Sequence, residues 1–221
     1  MLLTSPLLSE LEGVVHGFGT GPLGTDYARG AALLGLPGAP VAWVDQVHGA
    51  ELFCGDQARG HEAALAQADA VWLSRPGVVA AIRTADCVPI LMAAPGVVCA
   101  VHAGWRGTVA RIVQRAVDKL VQVSGCAPEQ LRAAIGPAIS VEAYEVGAEV
   151  LQAVAAVAPV ERVVRGRHVD LKATNEHLLR ESGVRSIEVL PQCTAGDPRL
   201  FSYRADGPGT GRQTSFIALL P

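Results

Sequence analysis

The spacing of apolar positions changes character several times along the chain, and each change marks a candidate element. Val78–Ile82, Val88–Met92 and Val97–Val101 are runs of strand length, rich in β-branched residues and almost unbroken in apolarity. That pattern suits strands buried on both faces. Val41–Val47 and Glu51–Cys54 read as strands around a turn at His48-Gly49. From Thr108 to Val123 the period becomes helical. Val109, Ile112, Val113, Ala116, Val117, Leu120 and Val121 form one stripe, with Arg111, Gln114, Arg115 and Asp118 opposite, and Gly125 as the stop.

Other elements follow from start and stop signals. Thr25 is a candidate N-cap for a short helix reaching Leu36, and Ala148–Ala156 reads as a helix. Asp170 can cap a helix that runs to Ser182 and stops at Gly183, while Leu131–Ile135, Ile187–Leu190 and Thr214–Leu220 read as strands. Strands and helices alternate, yet the hairpin-like early runs do not suit a purely parallel sheet. The pattern predicts an α+β layered sandwich with mixed sheets, as a single domain over residues 1–221.

Composition narrows the function classes. A chain of 221 residues, half of them apolar, buries roughly 70% of its unfolded surface and needs no disulfide or metal merely to fold. The net charge of −3 argues against a nucleic-acid binder. The apolar runs are shorter than a membrane span, and Glu10 and Glu12 interrupt the only leader-like stretch. Five widely spaced cysteines fit reduced thiols, so a cytoplasmic monomer or small homo-oligomer is expected. Gly19 to Gly24 formally spells GxGxxG, but Pro22 and the absence of a βαβ context make it a glycine-rich turn.

Three segments carry candidate chemistry: Gln46-Val47-His48-Gly49, Thr84-Ala85-Asp86-Cys87, and His102-Ala103-Gly104-Trp105-Arg106-Gly107. Each places a potential ligand at a predicted strand end. Two imidazoles and a thiolate suit zinc, and three protein ligands leave a fourth position open for water or substrate. The spacing from His48 to Cys87 to His102 is irregular, so each residue alone reads equally well as core or rim. Arg106, near the start of the predicted helix, offers with the neighbouring amides an anion site fit for phosphate.

Read together, QVHG, TADCVPIL, VHAGWRG, AIGP followed by YEVG, HVDLKATN and the C-terminal FSYR and TGRQ resemble the YfiH-like family, in order from His16 to Leu219. Its members are described as laccase-domain polyphenol oxidases or purine nucleoside phosphorylases. The resemblance implies an α/β/β/α layered fold, with zinc (or copper) on His48, Cys87 and His102. It also implies phosphorolysis of adenosine, inosine and methylthioadenosine, with deamination of adenosine. On this reading purine nucleosides and phosphate are the partners. Cys87, Asp86 and Arg106 are the candidate catalytic residues, and Gln46, Trp105, Arg106, Tyr144, Arg204 and Arg212 the candidate substrate contacts. The chain departs from the family pattern at Phe18-Gly19-Thr20-Gly21-Pro22, where an arginine is usual, at Gly136-Pro137-Ala138-Ile139, and at Cys193-Thr194-Ala195-Gly196.

Three alternatives stay open. A copper polyphenol oxidase is one, although multicopper centres need more imidazoles than this chain's six histidines supply. A thiol hydrolase with Cys87 as nucleophile and His102 as base is another. In the third, zinc only pins strand ends together.

Overall fold

The computed structural model describes all residues 1–221. Two mixed sheets form its centre. The first runs in the order Leu2–Leu3, Val14–Gly19, Gln213–Leu219, Val79–Thr84 and Val41–Ala42. The second runs Ser186–Val189, Arg132–Ile135, Val88–Ala94, Val97–Ala103, Ala70–Leu73 and Leu52–Cys54. A two-stranded ribbon, Val164–Arg165 with Val169–His168, stands apart.

Alternation along the strands explains the layering. Ala80, Ile82, Ile217 and Leu219 of the first sheet meet Leu91, Ala93, Val98 and Ala100 of the second in a central cluster. Val79, Ala81, Phe216 and Ala218 point the other way, onto Tyr27, Ala31 and Leu34 of the helix Tyr27–Leu33 and its end. Ile90, Met92, Cys99 and Val101 of the second sheet pack on Ile112, Val113, Val117, Leu120, Leu171 and Leu178. Both faces of both sheets are therefore covered. The result is an α/β/β/α sandwich, as expected, and the near-continuous apolar runs are its inner strands.

Several boundaries differ from the sequence reading. Asp26, not Thr25, caps the first of these helices, its carboxylate accepting the amide of Arg29. The strand predicted over Val41–Val47 is only Val41–Ala42, because the chain then leaves the sheet toward the turn at His48. Val14–Gly19 and Ala70–Leu73 are strands that the periodicity did not isolate.

The most consequential difference lies in the predicted helix Thr108–Val123. It is two helices, Trp105–Val109 and Ile112–Ser124, separated by Arg111 at φ 62°. The apolar stripe of Ile112–Ser124 stays on the second sheet, and Gly125 ends it in the left-handed conformation, as predicted. Trp105–Val109 is a short helix of its own. HAGWRG therefore opens this short helix and not, as the sequence reading had it, the long amphipathic one.

Candidate active site

The two sheets are joined by Ala85-Asp86-Cys87, which carries the chain from Val79–Thr84 of one sheet to Val88–Ala94 of the other. Cys87 stands where the sheets separate. His102 lies on the adjacent strand, its Cα paired with Pro89, and the turn after Val44 brings His48 to the same end of the sandwich. The ligand atoms of His48, Cys87 and His102 all lie within 4.8 Å of one another. Their burial is graded: His102 is buried, Cys87 half-buried and His48 exposed, so one side of the cluster opens to solvent. Two of the three non-glycine residues with positive φ, His48 at 60° and Asp86 at 91°, sit here. Strained backbone of this kind persists where surrounding structure holds it, often at functional sites.

Sequence reasoning missed the residue that organises this cluster. Asp69 is fully buried; its Oδ1 lies 2.8 Å from His102 Nδ1. The same carboxylate accepts the amides of Val47, His48 and Gly49, at 3.3, 3.0 and 2.6 Å. One side chain thus orients an imidazole and shapes the turn bearing the other. A signal existed, since a lone aspartate in Ala66-Gln67-Ala68-Asp69-Ala70-Val71 has to be paired if the segment is buried.

Electrostatics follow from these contacts. Burial pushes the Cys87 thiol up, but hydrogen bonds to the His102 and His48 imidazoles outweigh it and hold the group below the ordinary thiol value. Burial lowers His102, and the contacts with Asp69 and Cys87 outweigh it in the opposite direction, so its pKa is raised. Without a metal the pair leans toward thiolate and imidazolium. The thiolate is the form that binds a metal or acts as a nucleophile.

The donor set fits zinc, and also copper. Space is reserved for an ion: a methyl group on Gly104 would stand 3.0 Å from His48 Cδ2 and 3.2 Å from Cys87 Sγ. Gly107 is needed for a different reason, because a Cβ there would meet the carbonyl oxygen of Gly49 at 2.8 Å. HAGWRG and QVHG are packed backbone to backbone.

Above the cluster lies a cavity of about 590 Å³, lined by every predicted site residue: Gln46, His48, Asp86, Cys87, His102, Trp105, Arg106, Tyr144, Arg204 and Arg212. Arg83, Thr84 and Tyr203 line it too and were not foreseen. Arg106 lies over the Trp105 ring, 4.4 Å from its centroid, and Arg204 over Tyr144 at 5.2 Å. Burial, with the negative charge of Cys87 and Asp86, raises the Tyr144 hydroxyl to about 12 against the pull of Arg204 and Arg106, so it is a proton donor at neutral pH.

Two predicted residues are occupied internally. Gln46 donates from Nε2 to the carbonyl of Arg83 and accepts its amide at Oε1, at 2.6 and 2.7 Å. Asp86 accepts the hydroxyls of Thr194 and Ser202 and the amide of Arg204, at 2.6, 2.7 and 2.7 Å. Its carboxylate ties the segment bearing Tyr203 and Arg204 to the loop bearing Cys87.

Comparisons with known proteins place the chain in a family. A Mycobacterium tuberculosis protein named purine nucleoside phosphorylase is 42% identical over 195 residues, 86% of this chain and 76% of its own. The Escherichia coli purine nucleoside phosphorylase YfiH is 37% identical over 193 residues, 84% of this chain and 76% of its own. The crystal structure of YlmD from Geobacillus stearothermophilus superposes with a TM-score of 0.85 at 29% identity, covering 98% of this chain and 94% of that one. Residues 24–220 match the family described as multi-copper polyphenol oxidoreductase laccase, and the chain belongs to that family, among its YfiH-like members.

Proposed function

We propose that the chain is a zinc-dependent purine nucleoside phosphorylase, acting on adenosine, inosine and methylthioadenosine, with a secondary adenosine deaminase activity. The observation that carries it is the placement of a two-histidine, one-cysteine cluster beneath a cavity rich in arginine and aromatic side chains. Its named relatives support the same reading.

Held by His48, Cys87 and His102, zinc would supply Lewis acidity to a bound substrate. The chain's own residues do the rest. Arg106, over the Trp105 ring, and Arg204, over that of Tyr144, bind the phosphate co-substrate by charge-assisted hydrogen bonds. The rings of Trp105 and Tyr144, with the guanidinium planes lying on them, offer flat surfaces to a purine. The Tyr144 hydroxyl stays protonated and can donate to the departing base. Asp86 acts by position: its two oxygens already accept three hydrogen bonds, so it fixes Arg204 and leaves proton transfer to other groups.

The test is chromatography of adenosine incubated with zinc-loaded protein, with and without phosphate. Adenine that appears only with phosphate is the expected result, and inosine formed in either buffer reports the deaminase. Adenosine recovered unchanged in both buffers would remove the reading.

One observation favours a second reading. The line Asp69–His102–Cys87 has the form of a thiol hydrolase triad, with the carboxylate orienting the imidazole beside the thiol. Iodoacetamide separates the two. A nucleophilic thiol is alkylated with or without chelator, whereas a zinc-bound one is protected until the metal is stripped.

A further inference from the structure

Phosphorolysis of an uncharged nucleoside needs one anion subsite, yet the cavity has four arginines on its walls. Arg106, over the Trp105 ring, and Arg204, over the Tyr144 ring, are assigned to the phosphate. Arg83 and Arg212 come from a different part of the fold. Arg83 lies on Val79–Thr84, where it is paired with Thr214 of the neighbouring antiparallel strand. Arg212 stands two residues before that Thr214. Arg212 immediately precedes that strand, which begins at Gln213 opposite Thr84. Both side chains line the one cavity, the Arg83 guanidinium resting over the Trp43 ring at 4.8 Å from its centroid, so the pair can serve one phosphate there.

Little in the protein neutralises this second pair. The carboxylate nearest Arg83 is that of Asp45, at 3.9 Å and 63% exposed, too loose and too solvated to satisfy it. Arg212 donates only to the carbonyls of Thr210 and Gly211. Asp86 is the single acid lining the cavity, and its oxygens are already engaged. Beside Arg83, the Thr84 hydroxyl is 2% exposed, lines the same cavity and has no hydrogen-bond partner. Buried polar atoms are seldom left so in the absence of ligand or water.

We propose that Arg83 and Arg212 form a second anion subsite, and that the cleft takes phosphorylated purine nucleosides in preference to the free nucleosides. The inference rests on the phosphorylase reading for the purine and for the first subsite, and adds the class of substrate. Arg83 and Arg212 hold the phosphoester while Arg106 and Arg204, the latter held by the Ala143 carbonyl, serve inorganic phosphate.

Calorimetric titration of the zinc-loaded protein at low ionic strength tests this, with adenosine and adenosine 5′-monophosphate as probes. The monophosphate is expected to bind at least about tenfold more tightly, the scale of a charge-assisted bidentate contact. Saturating inorganic phosphate should leave that preference in place, because the two anions occupy different subsites. In the Arg83→Gln, Arg212→Gln double variant the preference should collapse to near unity. Equal affinity for the two probes in the native protein overturns the proposal, and so does displacement of the monophosphate by inorganic phosphate. Both of those arms use the native chain, so a misfolded variant leaves them decisive. Failure of adenosine phosphorolysis with the preference intact would remove the phosphorylase reading alone.

Discussion

At the scale of single residues, the site depends on side chains that are absent as much as on those present. Gly104 keeps the cradle open, and Gly104→Ala puts a methyl carbon 3.0 Å from the His48 ring. The expected outcome is a protein that melts within a few degrees of the native apoprotein but retains little zinc by elemental analysis. Asp69 tests the opposite device. Asp69→Asn keeps the volume but forfeits the charge on His102 and one acceptor for the His48 turn, and zinc affinity should fall about 10- to 100-fold by competition with a chromophoric chelator. An unchanged affinity would show that His102 needs no orienting carboxylate.

The residues that the fold brings together in the cluster, His48, Cys87 and His102, were legible because each sits within a motif, QVHG, TADC or HAGWRG, and Arg106, Tyr144, Arg204 and Arg212, expected at the same site, line the same cavity. Asp69 was not, since its motif is bland and its importance arises only when His102 and the His48 turn come together in space. The catalytic role expected of Asp86 shows the converse. Nearness to Cys87 in sequence suggested chemistry, whereas the carboxylate is turned toward Thr194, Ser202 and the Arg204 amide.

Elements show where local preference yields to packing. Periodicity placed one helix over Thr108–Val123, and the stripe is real from Ile112 onward. Nothing in a hydrophobic pattern announces that Arg111 will adopt φ 62° and separate a first turn from the rest. Short strands escaped for a similar reason, because Val14–Gly19 contains two glycines and a histidine that dilute its apolar signal.

Two glycines separate backbone effects from steric ones. Gly125 has φ 70° and nothing within 4 Å of its missing Cβ, so Gly125→Ala should cost only the left-handed penalty, about 1–2 kcal/mol. Gly30 lies within the helix Tyr27–Leu33, where propensity favours alanine by about 1 kcal/mol. A Cβ there would meet the Phe216 ring at 2.2 Å, and overpacking of a filled core costs about 1–3 kcal/mol. Packing should win: Gly30→Ala is expected to lower the melting temperature, and a higher one would contradict the close helix-to-sheet contact.

At the scale of the whole molecule, the fold class was readable because inner strands buried on both faces leave a distinctive apolar signature. Sheet order was not readable, since it depends on pairings such as Gln213–Leu219 with Val14–Gly19, almost two hundred residues away in sequence. The N-terminal segment illustrates such long-range ties. His16 accepts the Ser5 amide at Nε2, while Ser5 and Leu7 donate to Glu188 of the second sheet.

Burial lowers the pKa of His16 from 6.5, against the raising influence of Ser5 and Glu188. The folded state therefore favours the neutral ring. Its unfolded counterpart takes up a proton first as pH falls, and stability contributed at this site is lost from about pH 6.5 downward. Thermal melts across that range should show a steeper acid loss for the native chain than for His16→Gln. Parallel curves would show that His16 does not contribute.

The central claim is that one divalent ion is bound by His48, Cys87 and His102 and is needed for nucleoside cleavage. The measurement that meets it most directly is phosphate-dependent release of adenine from adenosine, followed while zinc is stripped by chelator and titrated back. Activity that disappears on stripping and returns in full at one zinc per chain is the predicted result. Adenine release that continues undiminished in the stripped protein would contradict the account.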